Sequence, residues 1–218
     1  MPRNFDLIVF DWDGTLADST GMIVDCIREA SAEINLPVPD KSVARKVIGL
    51  GLKEAIASLF GDLSPEQYRQ LTARYRAHYF QRDEETLLYE GVHNAIVNLK
   101  QQGFILAVAT GKGRNGLNLS LERSGLVSYF LATRCVDECY SKPHPQMLLE
   151  LMDELGATPE RTLMIGDTSY DLQMAQNANV ASLAVSYGAH HLENLLPHSP
   201  LAHFDDFTKL NQWLIMNA

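Results

Sequence analysis

Leu7-Ile8-Val9-Phe10-Asp11-Trp12-Asp13-Gly14-Thr15 sets a compact apolar run directly against two carboxylates. Four consecutive apolar residues that stop at a polar one read as a buried strand. The chain leaves regular structure at Asp11, so Asp11 and Asp13, two residues apart, can face one small cleft. Gly14 lets the backbone turn sharply beside them. A solvated acidic turn would use the same residues, because Asp-Gly is a common turn dipeptide. The rest of the chain has to decide between the two.

Working outward, residues 104–109 form a second apolar run that stops at Thr110-Gly111. Leu163-Met164-Ile165 is a third, stopping at Gly166-Asp167, and residues 181–185 are a fourth, stopping near Ser186-Tyr187-Gly188. Between them lie helical patterns over 95–102 and 146–155, ended by Gly103 and Gly156 as glycine C-caps. Strand and helix alternate, which predicts an α/β fold: a Rossmann-like parallel sheet with helical crossovers on both faces. In such sheets ligands collect at the carboxyl ends of the strands. Each polar strand end above therefore falls where a site would be.

Residues 18–85 break this rhythm. They carry helical patterns over 22–34, 41–60 and 65–80 with no convincing strand, and Ser64-Pro65-Glu66 is a good helix start. The expected organisation is a core of residues 1–16 and 87–218 with a small helical cap domain, 17–86, inserted after the first strand. Hinges near 16–19 and 87–91 would let the cap act as a lid.

Composition bounds the function classes. The chain has 218 residues, 46% hydrophobic and 21% charged, the make-up of an ordinary folded protein. A formal net charge of −9 disfavours a nucleic-acid surface, which is built mainly from Lys and Arg. An anionic small substrate remains compatible, since a bound divalent cation and local basic groups reverse the field inside a cleft. Cys26, Cys135 and Cys139 are odd in number and lack paired CxxC spacing, so they are expected as reduced thiols rather than a disulfide framework or zinc site. No apolar run approaches a membrane span, and Met1 to Asp6 lead into a strand and acidic residues rather than a signal peptide. The expected location is cytoplasmic, with monomer and homodimer both open.

Three further segments carry chemistry. Thr110-Gly111-Lys112 offers a hydroxyl and free backbone amides of the kind that bind phosphate oxygens, although a small-residue turn capping a strand would look similar. Lys142-Pro143-His144-Pro145 puts a lysine just ahead of a helix start, where it can neutralise a nucleophilic carboxylate and a phosphate; an ordinary exposed lysine is the bland alternative. His144 is read as a loop or cap residue, since Asp13 already supplies an acid and base. Gly166-Asp167-Thr168-Ser169-Tyr170-Asp171 offers two carboxylates four apart on the first turn of a helix, oxygen ligands of the type Mg²⁺ favours. Asp167 or Thr168 could be a plain N-cap, which accounts for one acid and not for the pair.

In chain order these segments give a carboxylate pair, a threonine, a lysine and an acidic loop, each at a strand end. That order, over nearly the whole chain, resembles the haloacid dehalogenase superfamily, and the helical insertion is similar to the cap of its phosphoglycolate-phosphatase-like branch. The resemblance implies that Asp11 is a nucleophile and Mg²⁺ ligand, and that Asp13 is the acid-base residue whose backbone carbonyl also binds the metal. Thr110, with Gly111, and Lys142 would bind phosphate, Asp167 would be the acidic metal ligand, and Asp171 a supporting carboxylate. The implied reaction is Mg²⁺-dependent hydrolysis of a small phosphorylated metabolite, phosphoglycolate-like or a sugar phosphate, through an aspartyl-phosphate. A phosphomutase, a pyrophosphatase and a non-catalytic phosphate-dependent binding protein remain as alternatives. The mutase branch usually has a histidine where this chain has Met22-Ile23-Val24. Substrate choice would lie in the cap, where Arg45, Lys46 and Lys53 flank Gly49-Leu50-Gly51. Arg45 is the one expected to contact substrate, while solvated helix charges account for all three at least as well. His190 and His191 are adjacent loop residues, expected to be structural or at the surface.

Overall fold

The computed structural model of the chain describes residues 4–218. Six strands, β1 (Leu7–Phe10), β2 (Ile105–Thr110), β3 (Ala132–Cys135), β4 (Thr162–Gly166), β5 (Ala181–Val185) and β6 (Ala202–Phe204), form one sheet in the order β3-β2-β1-β4-β5-β6. Every neighbouring pair is parallel. The α/β class with a parallel Rossmann-like sheet is therefore as the sequence predicts.

Side chains of β1 alternate between two apolar layers. Ile8 and Phe10 join one cluster, with Ile96 and Leu99 of one helix, Leu117 of a second and Leu210 and Leu214 of a third. Leu7 and Val9 join the other, with Met147, Leu148 and Leu151 of a fourth helix and Met174 of a fifth. A strand buried on both faces has no polar side to show, which is why its sequence reads as an unbroken apolar run.

The helices are α1 (Thr20–Glu33), α2 (Lys41–Arg45), α3 (Leu52–Phe60), α4 (Pro65–Asp83), α5 (Val92–Gln101), α6 (Arg114–Ser124), α7 (Gln146–Leu155), α8 (Ser169–Asn177), α9 (Leu192–Leu195) and α10 (Phe207–Asn217). The first cluster is covered by α5, α6 and α10, the second by α7 and α8. Among the described residues no helix is long and apolar enough to cross a membrane.

Helices α1 to α4 build apolar clusters of their own, one around Ile23, Val24, Ile27, Ala55 and Tyr79, another around Ala30, Ile56 and Leu71. Helix α4 starts as its sequence indicates: Pro65 occupies the first turn and Ser64 forms a reciprocal capping box with Gln67. Such a cap contributes about 0.5–2 kcal/mol. The single helix expected over 41–60 is instead two, α2 and α3. The chain between them turns through Gly49, whose φ of +95° is closed to most side chains and cannot continue a helix. The two segments that join α1–α4 to the sheet run side by side: Asp18 N donates to Leu87 O and Tyr89 N to Leu16 O, both at 2.9 Å.

Candidate active site

Register brings the site together. Phe10 is level with Val108 of β2 and Ile165 of β4, so Asp11, Thr110 and Asp167 emerge at the same end of three adjacent strands. Asp11 N donates to Ile165 O at 2.9 Å, extending the ladder by one residue and fixing where its carboxylate departs.

Asp11, Lys142, Asp167 and Asp171 are all buried to 1% exposure or less. Lys142 Nζ lies 2.8 Å from Asp11 Oδ1 and 2.6 Å from Asp171 Oδ1. Asp167 accepts from Thr15 Oγ1 at 2.9 Å and from Ala189 N at 2.6 Å. One oxygen from each of Asp11, Asp167 and Asp171 falls within 4.8 Å of the others. Three clustered carboxylates thus have one buried ammonium, paired with two of them, and the imbalance shows in the acidities of Asp11 and Asp167. Burial pushes the Asp11 carboxyl up to about 7 even though Lys142 pulls it down, with Asp171 adding to the rise. Burial, and then the charges of Asp11 and Asp171, lift Asp167 well above the usual carboxylate range. For Lys142 burial disfavours the charged form, yet Asp11 and Asp171 outweigh it and keep the amine protonated.

A hard divalent cation fits this arrangement. Asp11 Oδ1 is buried and faces the Lys142 ammonium at 2.8 Å, with no further protein donor on it. An all-oxygen set of three clustered carboxylates with excess negative charge is the donor chemistry that Mg²⁺ or Ca²⁺ takes.

Asp171 also has a local structural role. Thr168 is the N-cap of α8, and Asp171 Oδ2 accepts from Thr168 N at 3.0 Å and Thr168 Oγ1 at 2.7 Å, completing a capping box. The N-cap alternative thus holds for Thr168, while Asp167 points into the carboxylate cluster.

Asp13 sits in different surroundings. Its Oδ1 accepts from Ser19 Oγ at 2.7 Å and lies 3.3 Å from Lys112 Nζ, and its side chain borders a cavity of about 340 Å³. Asp11, Thr110, Gly111 and Lys112 line the same cavity; Lys142, Asp167 and Asp171 lie outside its lining. Thr110 Oγ1 accepts from Lys112 N at 3.1 Å. Gly111 lies under the carbonyls of Gly49 and Leu50, too close for a side chain.

The remaining candidates are placed as follows. Arg45 is not on the cavity wall: its guanidinium donates to Ala189 O at 2.9 Å and Gly188 O at 2.6 Å, tying α2 to the loop after β5. Lys46 and Lys53 are exposed and outside the cavity as well. His144 and His191 are exposed, and His190 is a structural bridge, its Nδ1 accepting from Ser169 N and its Nε2 facing Lys46 O. Cys26, Cys135 and Cys139 are free thiols. Residues that the sequence reading left without a role are Lys112, Ser19, Thr15 and Asp83. Lys112 was within reach, two positions after Thr110; Asp83 carried no local signal.

The sequence matches the family described as haloacid dehalogenase-like hydrolase over residues 8–185, from β1 to the end of β5. The chain belongs to the haloacid dehalogenase-like hydrolase family. It is 35% identical to the protein named probable phosphatase IndB of Dickeya dadantii, over 94% of this chain and 91% of that protein. It is 32% identical to the pyrophosphatase PpaX of Halalkalibacterium halodurans, over 83% of each. A crystal structure described as a predicted phosphoglycolate phosphatase from Haemophilus somnus superposes with a TM-score of 0.84 at 26% identity, covering 97% of this chain and 99% of that one. These similar proteins are named as phosphatases or, in one case, a pyrophosphatase.

Proposed function

We propose that this enzyme hydrolyses a small phosphorylated metabolite with the help of Mg²⁺, through an aspartyl-phosphate on Asp11. The observation that carries the reading is Asp11 itself, buried in the carboxylate cluster against Lys142 yet lining the cavity, with Asp13 beside it in a separate hydrogen-bond environment.

An oxygen of Asp11 attacks phosphorus, and the bond between phosphorus and the ester oxygen breaks. The departing oxygen takes a proton from the Asp13 carboxyl. Asp13, now a carboxylate, takes a proton from water as that water attacks the phosphoryl group; inorganic phosphate leaves and Asp11 is restored. Two carboxylates can divide the work in this way only if their environments differ, as those of Asp11 and Asp13 do.

Thr110 offers a hydroxyl and Gly111 a backbone amide to the phosphoryl oxygens. Lys142 holds Asp11 in place and offsets charge as the dianion arrives, and Asp171 steadies Lys142. Mg²⁺, held by Asp11 and Asp167 with Asp171 in support, would supply the remaining charge compensation, the main contribution an enzyme makes to phosphoryl transfer. Residues 17–86 act as the lid, with the paired segments at 16–18 and 87–89 as its hinge.

The test is phosphate release from a panel of phosphate esters and pyrophosphate, with Mg²⁺ and with chelator, for wild type and Asp11→Asn side by side. Turnover is expected only with Mg²⁺ and an intact Asp11. Wild-type rates in the Asp11→Asn protein would sink the covalent mechanism.

A further inference from the structure

Beyond the reacting end, the cavity is not built for a second anion. Besides Asp11, Asp13 and Thr110, its lining includes Ile23, Ile27 and Ile48 with Tyr75, Tyr79 and Phe80. The three aromatic residues lie on two successive turns of α4 and form a contiguous patch, with ring centroids 5.7 Å apart for Tyr75 and Tyr79 and 6.1 Å for Tyr79 and Phe80.

The cations of the cavity are either committed or peripheral. Lys112 is ion-paired with Asp13 and Asp83 and lies over the Tyr79 ring, so it has little charge to spare for a ligand. Arg76 is on an exposed stretch of α4, and the acid Asp137 borders the same space. Arg45, the cation expected to meet the distal end of an anionic substrate, is turned away onto Gly188 and Ala189.

Size points the same way. A cavity of about 340 Å³ falls within the ~300–1,000 Å³ range of pockets that hold drug-sized ligands, more room than a short ester such as phosphoglycolate fills. An apolar wall left wet contributes nothing to selectivity, whereas a ring laid against Tyr75 and Phe80 displaces that water and gains offset or edge contacts.

We infer that the substrate is a phosphate monoester whose leaving alcohol carries an aromatic or otherwise apolar ring, seated against Tyr75 and Phe80, and that a second negative charge is not part of what this enzyme recognises. The inference rests on the phosphatase reading above and narrows it to a substrate class.

The experiment compares benzyl phosphate with ethyl phosphate and with phosphoglycolate, using the full chain and Mg²⁺. The two uncharged alcohols are similar leaving groups, so their difference reads ring recognition rather than chemistry. Benzyl phosphate is expected to exceed both in kcat/KM by about tenfold or more, mostly through KM. Tyr75→Ala and Phe80→Ala are expected to lower kcat/KM for benzyl phosphate more than for ethyl phosphate, with Tyr75→Phe restoring the preference. Equal kcat/KM for the benzyl and ethyl esters, or a preference for phosphoglycolate that disappears in Arg76→Ala, overturns the inference and leaves the phosphatase standing. Silence on every ester, including acetyl phosphate, defeats the phosphatase reading and this inference with it.

Discussion

The ammonium of Lys112, at the end of β2, lies 3.0 Å from the carboxylate of Asp83, at the end of α4, and both side chains are at most 4% exposed. This ion pair ties the helical segment to the sheet, and the same Nζ reaches Asp13 Oδ1 at 3.3 Å. Tyr79 donates to Asp83 Oδ1 at 2.9 Å, while Arg123 stands 3.6 Å from its other oxygen. Lys112 thus contacts one carboxylate of the site and one of the helical segment, so the position of α4 is felt at Asp13.

Lys112→Met removes the partner of two buried acids at once. Breaking a buried pair from one side costs about 3–5 kcal/mol, since the remaining charge stays desolvated. The variant is expected to unfold at lower denaturant with an unchanged m-value, and to lose kcat more than KM, because Asp13 loses the contact that orients it. Asp83→Asn should weaken the same contact while leaving no orphan charge, with a smaller loss of stability. Urea titrations and steady-state kinetics on both variants check this; an Lys112→Met protein with wild-type stability and kcat would show that the contact orients nothing.

Asp13→Asn keeps the size of the side chain and the hydrogen bond from Ser19 but removes the transferable proton. General acid-base catalysis by a positioned side chain is worth about 10²–10⁴-fold, and kcat is expected to drop by that much. Asp13 is outside the cluster formed by Asp11, Asp167 and Asp171, so the thermal stabilisation produced by Mg²⁺ should survive. Loss of the Mg²⁺ response together with activity would instead make the Asp13 side chain part of the metal site.

How much of this was legible in the sequence depends on where each residue sits. Strands β1 and β4 lie in the middle of the sheet, are buried on both faces and read as apolar runs. Strands β3 and β6 lie at its edges, where Thr133, Arg134 and His203 interrupt any apolar signal, so no strand was expected there. Asp11, Thr110, Lys142 and Asp167 could be picked out because each ends a strand or precedes a helix within its own short motif. The pairing of Lys112 with Asp83 could not: 29 residues separate them, and only the packing of α4 over the end of β2 brings them together. Arg45 shows the converse. Its charge suggested an anion, but nothing local told that it would meet the carbonyls of Gly188 and Ala189.

Arg45→Ala tests that placement. The guanidinium makes two hydrogen bonds to carbonyls of the loop whose Ala189 N–H also holds Asp167. Hydrogen bonds to a charged group contribute about 1.5–3 kcal/mol each, less where water competes, so a loss of about 1–3 kcal/mol in stability is expected. Rates should fall for all phosphate esters alike, leaving their ranking unchanged. A loss confined to esters bearing a second anion would return Arg45 to the substrate.

The raised carboxyls of Asp11 and Asp167 link the site to folding. With Asp11 at about 7 in the folded chain and about 4 in the unfolded one, the native state holds more protons between those values. The stability this contributes is full below about pH 4 and is lost as pH rises through about 7; Asp167, lifted in the same direction, steepens the loss. A divalent cation reverses the balance, because it binds the ionised carboxylates and displaces their protons. Without divalent cations the free energy of unfolding should therefore decline between about pH 5 and about pH 8, and Mg²⁺ should stabilise the protein more at the higher pH. Its effect should reach about 2.7 kcal/mol when free Mg²⁺ is a hundredfold above its dissociation constant. Asp11→Asn should flatten the metal-free pH dependence and shrink the Mg²⁺ effect together. Denaturant titrations at the two pH values, with Mg²⁺ and with chelator, measure both. A Mg²⁺ effect as large at about pH 5 as at about pH 8 would mean that the cation binds elsewhere than at these carboxylates.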